Sequence, residues 1–269
     1  MNAKTAAPPL RIVPSLRPRG VWRLVERNVL AYRRMWYVFL SGFLEPILFL
    51  LSIGIGVGKL VGDFHIGHQI VTYRQFVSAG LLATTAANGA VLDTTFNFFV
   101  KYKYSHTYDA VLATPVGTSD VSYGEVTWAL MRGAMYSAAF LATIALFGDV
   151  LSWWALLAVP AAVVIAFGFA GAGLAGTTYM RSFVDFDLVN MALVPLFLFS
   201  ATFFPLSRYP AALQAIIRCT PLYQGVAMER SLVLGDVGWS TLGHAVYLLV
   251  LGWVGCRIAT RRIGLLLQP

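Results

Sequence analysis

Runs of mostly apolar residues recur along this chain, and most are long enough for a helix to cross the roughly 30 Å hydrocarbon layer, which takes about 20 residues. They lie near Tyr37–Val57, Phe76–Val100, Val126–Phe147, Trp153–Thr177, Leu188–Phe204 and Trp239–Ile258. In lipid every backbone N–H and C=O needs a partner within the protein, so only helices and closed barrels can span. A barrel is written in short segments of alternating polarity, and these are absent. The expected fold is therefore an all-α integral membrane protein with six transmembrane helices. Composition agrees. Only 12% of residues are charged, about half the share in a soluble domain.

The formal charge of +8 raises nucleic acid as a partner, but the basic residues cluster beside apolar runs rather than in a nucleic-acid motif. Anionic lipid headgroups are the simpler partner. Of the 20 Lys and Arg, eight precede residue 35, and Lys101, Lys103, Arg181, Arg257, Arg261 and Arg262 fall on the same side of a six-span layout. Lys59, Arg74, Arg208, Arg218 and Arg230 fall on the other. The positive-inside bias puts both termini in the cytoplasm, in a multi-pass protein of the inner (plasma) membrane. Cys219 and Cys256 have neither metal nor disulfide spacing and read as packing residues.

Residues 1–19 are rich in proline and basic side chains and read as a disordered cytoplasmic lead-in. From 20 to 36 the pattern becomes helical. Trp22, Val25, Val29, Tyr32 and Trp36 recur on one side, and Arg23, Glu26, Arg27, Arg33 and Arg34 lie mostly on the other. That pattern predicts an amphipathic helix lying in the membrane interface. Residues 37–269 then form the six-span domain. Glu45-Pro46 puts a carboxylate and a kink in the first span. Gly54, Gly56 and Gly58 follow no strand and are no dinucleotide fingerprint. Lys59–Gln75 reads as a short outer loop, and its Asp63, His65 and His68 lack further metal ligands.

In the second span, Asn88, Asp93 and Asn97 are polar, and Gly89, Asp93 and Asn97 share one helical face. Such a stripe either glues helices together or lines a path, as do Glu45 and Asn190. Arg132, early in the third span, can snorkel to the headgroups or pair with Glu125 or with an acid on another helix. Pro195 breaks the short fifth span. Pro210 can open a further short helix that stops before Pro221 and dips into the outer leaflet as a re-entrant half-helix.

Between the second and third spans lies a polar, turn-rich island, Lys101–Arg132. Pro115 biases Thr114 away from the helical region, so a short helix should end near Ala113. A short helix on a tight loop between spans suits a part that another protein grips, although an ordinary connection fits the local pattern too.

At FLEPILFLLSIGIGVG (Phe43–Gly58), KYSHTYDAVLATPV (Lys103–Val116), GEVTWALMRG (Gly124–Gly133) and the FPLSRYP and PLYQ stretches of Phe204–Gln224, the chain resembles the permease subunit of type-2 ABC exporters. The likeness is to the nodulation-factor (lipo-oligosaccharide) export branch and its drug-export relatives. The resemblance implies a coupling helix near 106–116 that seats in a separate ATP-binding subunit through Tyr108, Asp109, Ala110, Leu112, Ala113, Thr114 and Pro115. It also implies an interfacial connecting helix carrying Trp22, Arg23, Arg27, Arg33, Arg34 and Trp36, and re-entrant outer helices over Leu206–Pro221. Two permeases, identical or related, would pair above two ATPase subunits. Asp93 stands where the resemblance leads to a glutamate. The chain has no GxxxxGK[ST] loop and no catalytic constellation, so no cofactor is expected within it, and ATP and Mg belong on the partner. The alternative is an ion-coupled carrier that titrates Glu45 and Asp93, and the inverted repeat expected of one is not apparent.

Overall fold

The computed structural model describes residues 18–33, 36–66 and 69–267. The expectations for residues 1–17, Arg34 and His68 lie outside the described residues, as does that for the side chain of Trp36. At the front is α1 (Pro18–Arg33), followed by α2 (Trp36–Gly56) and the single turn α3 (Gly58–Val61). Where a plain loop was expected, β1 (Asp63–Ile66) and β2 (Gln69–Thr72) pair antiparallel as a hairpin. Thr72 then caps α4 (Tyr73–Leu92) in a capping box with Gln75, which supplies partners for the free N–H groups of the first turn. For that reason α4 starts ahead of the apolar run that signalled it.

Beyond Leu92 the helix continues through two π-helical turns, Asp93–Asn97 and Val100–Tyr104. His106, in the left-handed region at φ 47°, turns the chain into α5 (Thr107–Leu112). Next comes α6 (Thr118–Leu146), which begins eight residues before the expected span because the Gly117 N–H donates to Asp120 Oδ2 at 3.0 Å. The turn at Gly148-Asp149 leads to α7 (Ala158–Thr177), then α8 (Asp185–Leu198), α9 (Ala211–Cys219), α10 (Pro221–Leu234) and α11 (Trp239–Leu267).

Among the described residues, four helices are long and apolar enough to cross a membrane: Tyr73–Tyr104, α6, Trp153–Thr177 and α11. The first and fifth expected spans are occupied by α2 and α8. At 14 residues, α8 reaches only about 20 Å. Beyond it the chain continues as irregular backbone, of which Ser200–Thr202 are buried inside the protein. Ser200 and Thr202 are fully buried with hydroxyls 2.7 Å apart, and Arg230 donates to the Ala201 carbonyl at 2.8 Å. Buried non-helical backbone of this kind is tolerated at membrane depth only because protein groups satisfy it.

Pro210 and Thr220 are the N-terminal caps of α9 and α10, and Pro221 opens the latter. The short helix expected between Pro210 and Pro221 is α9, and α10 packs against α4, α7 and α11. The central contact of the bundle is α7 on α11. A Cβ at Gly171 would fall 2.9 Å from the Gly252 Cα, whereas one at Gly176 would meet nothing. Replacing Gly171 with Val should lower the melting temperature of the detergent-solubilised protein, reflecting a loss of at least about 1–3 kcal/mol from overpacking. The same change at Gly176 should leave it unchanged.

Candidate functional site

Helix α1 does not lie free on a membrane surface. It docks along α6 through residues four apart. A Cβ at Gly20 would strike Asp120, and one at Gly124 would strike Leu24. Asn28 reaches Glu125, and the Tyr32 ring sits 5.2 Å from that of Trp128. Leu24, Val25 and Asn28 are buried, while Trp22, Val29 and Leu30 stay exposed beside Arg19, Arg23 and Arg33. The division of this helix into one apolar and one basic side is therefore corrected: Val25 faces protein, and Arg27 turns inward.

At the α5 end of the bundle, Glu125 collects partners from two elements, α1 and the end of the α4 helix. Lys101 lies 2.6 Å from one carboxylate oxygen, with the Asn28 amide 3.4 Å from the same atom, and Arg27 lies 3.3 Å from the other. Lys101 also donates to Asn28 Oδ1 at 3.2 Å. Beside them, Tyr108 is 1% exposed, with its ring 5.1 Å from Phe98. Burial, then the neighbouring Glu125 carboxylate, pushes its phenol well above the ordinary tyrosine range. Tyr108 thus anchors α5 from inside. The outward surface of α5 and its turn consists of Asp109, Ala110, Ala113, Thr114 and Pro115, with Leu112 half-buried.

Deeper in the bundle, Arg132 Nε and Asp93 Oδ2 are 2.9 Å apart, both nearly inaccessible. Asn97 donates to Asp93 Oδ1 at 2.6 Å and to the Tyr32 hydroxyl at 3.2 Å. The guanidinium lies 5.5 Å from the ring centres of both Tyr32 and Tyr136. Of the roles open to Arg132, pairing with an acid on another helix is the one seen. It neither snorkels nor reaches Glu125. The π-helical turn carries Asp93 and Asn97, and π-bulges recur at functional positions.

Between α2, α4, α6 and α8 opens a cavity of about 810 Å³. Glu45, Asn88 and Asn190 all line it, together with Thr84, Thr85 and Arg132. Its aromatic walls are Phe49, Phe96, Tyr136, Phe186 and Phe197. Asp93 and Asn97 do not line it, because their side chains are spent on Arg132 and on each other. The structure therefore divides the expected polar set. Glu45, Asn88 and Asn190 face the cavity, and Asp93 and Asn97 hold helices together behind it.

A family model described as ABC-2 type transporter matches residues 19–234, which run from α1 to the end of α10. The chain belongs to the ABC-2 type transporter family. Nodulation protein J of Rhizobium leguminosarum bv. trifolii is 29% identical over 252 residues, covering 91% of this chain and 93% of that protein. Nodulation protein J of Rhizobium meliloti (strain 1021) is 28% identical over 220 residues, 81% of each chain. The inner membrane transport permease YadH of Escherichia coli (strain K12) is 24% identical over 246 residues, 88% of this chain and 92% of that one.

Two features of this ABC-2 transporter were not legible in its sequence. Glu125 was visible only as one possible partner for Arg132, and its true partners sit 24 to 98 positions away. Glu229 on α10 is fully buried, and neither carboxyl oxygen has a hydrogen-bond partner among the described residues. Its only signal was an acid in the stretch between Pro221 and the last span. For the buried pair, Asp93→Asn should cost about 3–5 kcal/mol by stranding Arg132. The double change Asp93→Leu with Arg132→Met should recover most of that loss in the same thermal denaturation assay.

Proposed function

We propose that this chain is the permease subunit of an inner-membrane exporter driven by a separate ATP-binding subunit, and that α5 is where the driving force enters. The observation that carries this reading is the build of α5. It is six residues long, pinned from inside by Tyr108, and outside it offers a small, nearly flat surface of Asp109, Ala110, Ala113, Thr114 and Pro115. Such a surface fits a groove on a partner and needs no side-chain reorganisation to dock. The α5 end is cytoplasmic, which places the termini and the excess of basic residues on the same side. ATP and Mg sit on the partner.

The cargo is amphipathic or lipid-linked, of lipo-oligosaccharide, glycolipid or drug-like type. Aromatic walls take the apolar part, and the Asn88, Asn190 and Thr84 side chains hydrogen-bond the polar part. None of the residues of α8 is buried within this chain, and its apolar surface suits pairing with a second permease, identical or related. Two permeases and two ATPase subunits then make the working unit. Nucleotide closes the ATPases and shifts the paired bundles between inward- and outward-facing states.

Ala110→Arg, or one residue inserted at Ala113, should reduce co-purification of the ATP-binding subunit by about 30-fold or more, the effect of losing a binding hot spot. The amount of permease in the membrane should not change. Undiminished partner recovery by either variant would remove α5 from the interface.

A further inference from the structure

The Glu125 cluster is unbalanced in a way that gives it a mechanical consequence. Two cations from different elements, Arg27 on α1 and Lys101 at the end of the α4 helix, converge on one carboxylate that is 2% exposed. The buried ring of Tyr108 on α5 packs beside it. Without that negative charge, the partly exposed guanidinium and ammonium are left facing one buried point, where repulsion is stronger than in bulk water. Glu125 therefore turns a repulsive meeting of α1 with the α4 helix into an attractive one.

We propose that Glu125 is the positioning residue that makes α1, the last turns of the α4 helix and α5 move as one body with α6. A displacement of α5 is then delivered at once to Asp93 and Arg132, which lie further along the same two helices, and through Arg132 to the cavity wall. This rests on the reading of α5 as the partner contact. The structural part of the claim, the locking itself, can be tested without a partner.

Replace Cys219 and Cys256 with Ser, place spin labels at Arg23→Cys and Ala113→Cys, and measure their distance distribution in lipid nanodiscs without nucleotide. The unaltered cluster should give one narrow distribution. Glu125→Gln keeps the shape but removes the charge, and should broaden that distribution at least about twofold through the unshielded repulsion of Arg27 and Lys101. Lys101→Gln leaves the Arg27 pair intact and should broaden it little. Adding Lys101→Gln to Glu125→Gln should narrow it again, an order of effects that simple loss of packing would not produce. An unchanged distribution in Glu125→Gln overturns the proposal. If Glu125→Gln does not accumulate in the membrane, Arg27→Gln/Lys101→Gln, which strands the carboxylate instead, should broaden the distribution, and a narrow one there overturns it equally.

In the complete complex, labels at Arg23→Cys on α1 and Leu198→Cys on α8, which lies outside the joined body, should change separation on adding MgATP and vanadate, and Glu125→Gln should abolish that change while ATP hydrolysis persists. A full change in Glu125→Gln counts against the proposal. No change with the unaltered cluster would instead remove the ATP-driven reading, and the nanodisc result would still decide the role of Glu125.

Discussion

A charge survives inside a membrane protein only if another group answers it, and that penalty organises this bundle. Asp93 and Arg132, 2.9 Å apart and nearly inaccessible, pin the α4 helix to α6 at a depth where neither residue could remain alone. Around them the other contacts fall into register. Tyr32 and Tyr136 cover the guanidinium, Asn97 completes the carboxylate, and Thr177 donates to the Thr94 carbonyl at 2.9 Å to draw in α7. The π-helical turn at Asp93–Asn97 is the local adjustment that accompanies these contacts.

The same rule acts again at each end of the bundle. At the α5 end, Glu125 gathers Arg27 and Lys101. At the opposite end, Arg74 donates to Asp149 Oδ1 at 2.9 Å and to the Phe147 carbonyl, tying the start of α4 to the turn after α6. Burial raises the Asp149 carboxyl above its ordinary value, and the Arg74 hydrogen bond works against that rise. Three ion pairs at three depths thus join the α4 helix to α6 and its following turn, and the cavity forms along this braced pair. The walls on its other side, α2 and α8, are far less constrained. A braced wall thus faces a less constrained one across the cavity.

The helices were legible because their cause is local. Apolar length announces a span, Pro210 and Pro221 delimit α9, and Pro115 limits α5. The β-hairpin was missed because its strands are four residues each, too short to show a period against apolar surroundings. Within the candidate site, Glu45, Asn88 and Asn190 could be singled out as polar residues in apolar runs. What could not be read was which of them face open space. Asp93 and Asn88 give the same signal in sequence, yet one is consumed by Arg132 and the other lines the cavity.

By itself the sequence determined that this chain is an all-α membrane protein, roughly where its helices begin and end, and that its short polar island is a distinct part. Each of these follows from hydrocarbon length, backbone hydrogen bonding and proline geometry, which act over a few residues. Only the tertiary structure decided that α1 docks on α6, that Tyr108 points inward, and that Glu125 joins Arg27 to Lys101. Those outcomes depend on which charge finds which across 24 to 98 residues of chain, and only packing sets that match.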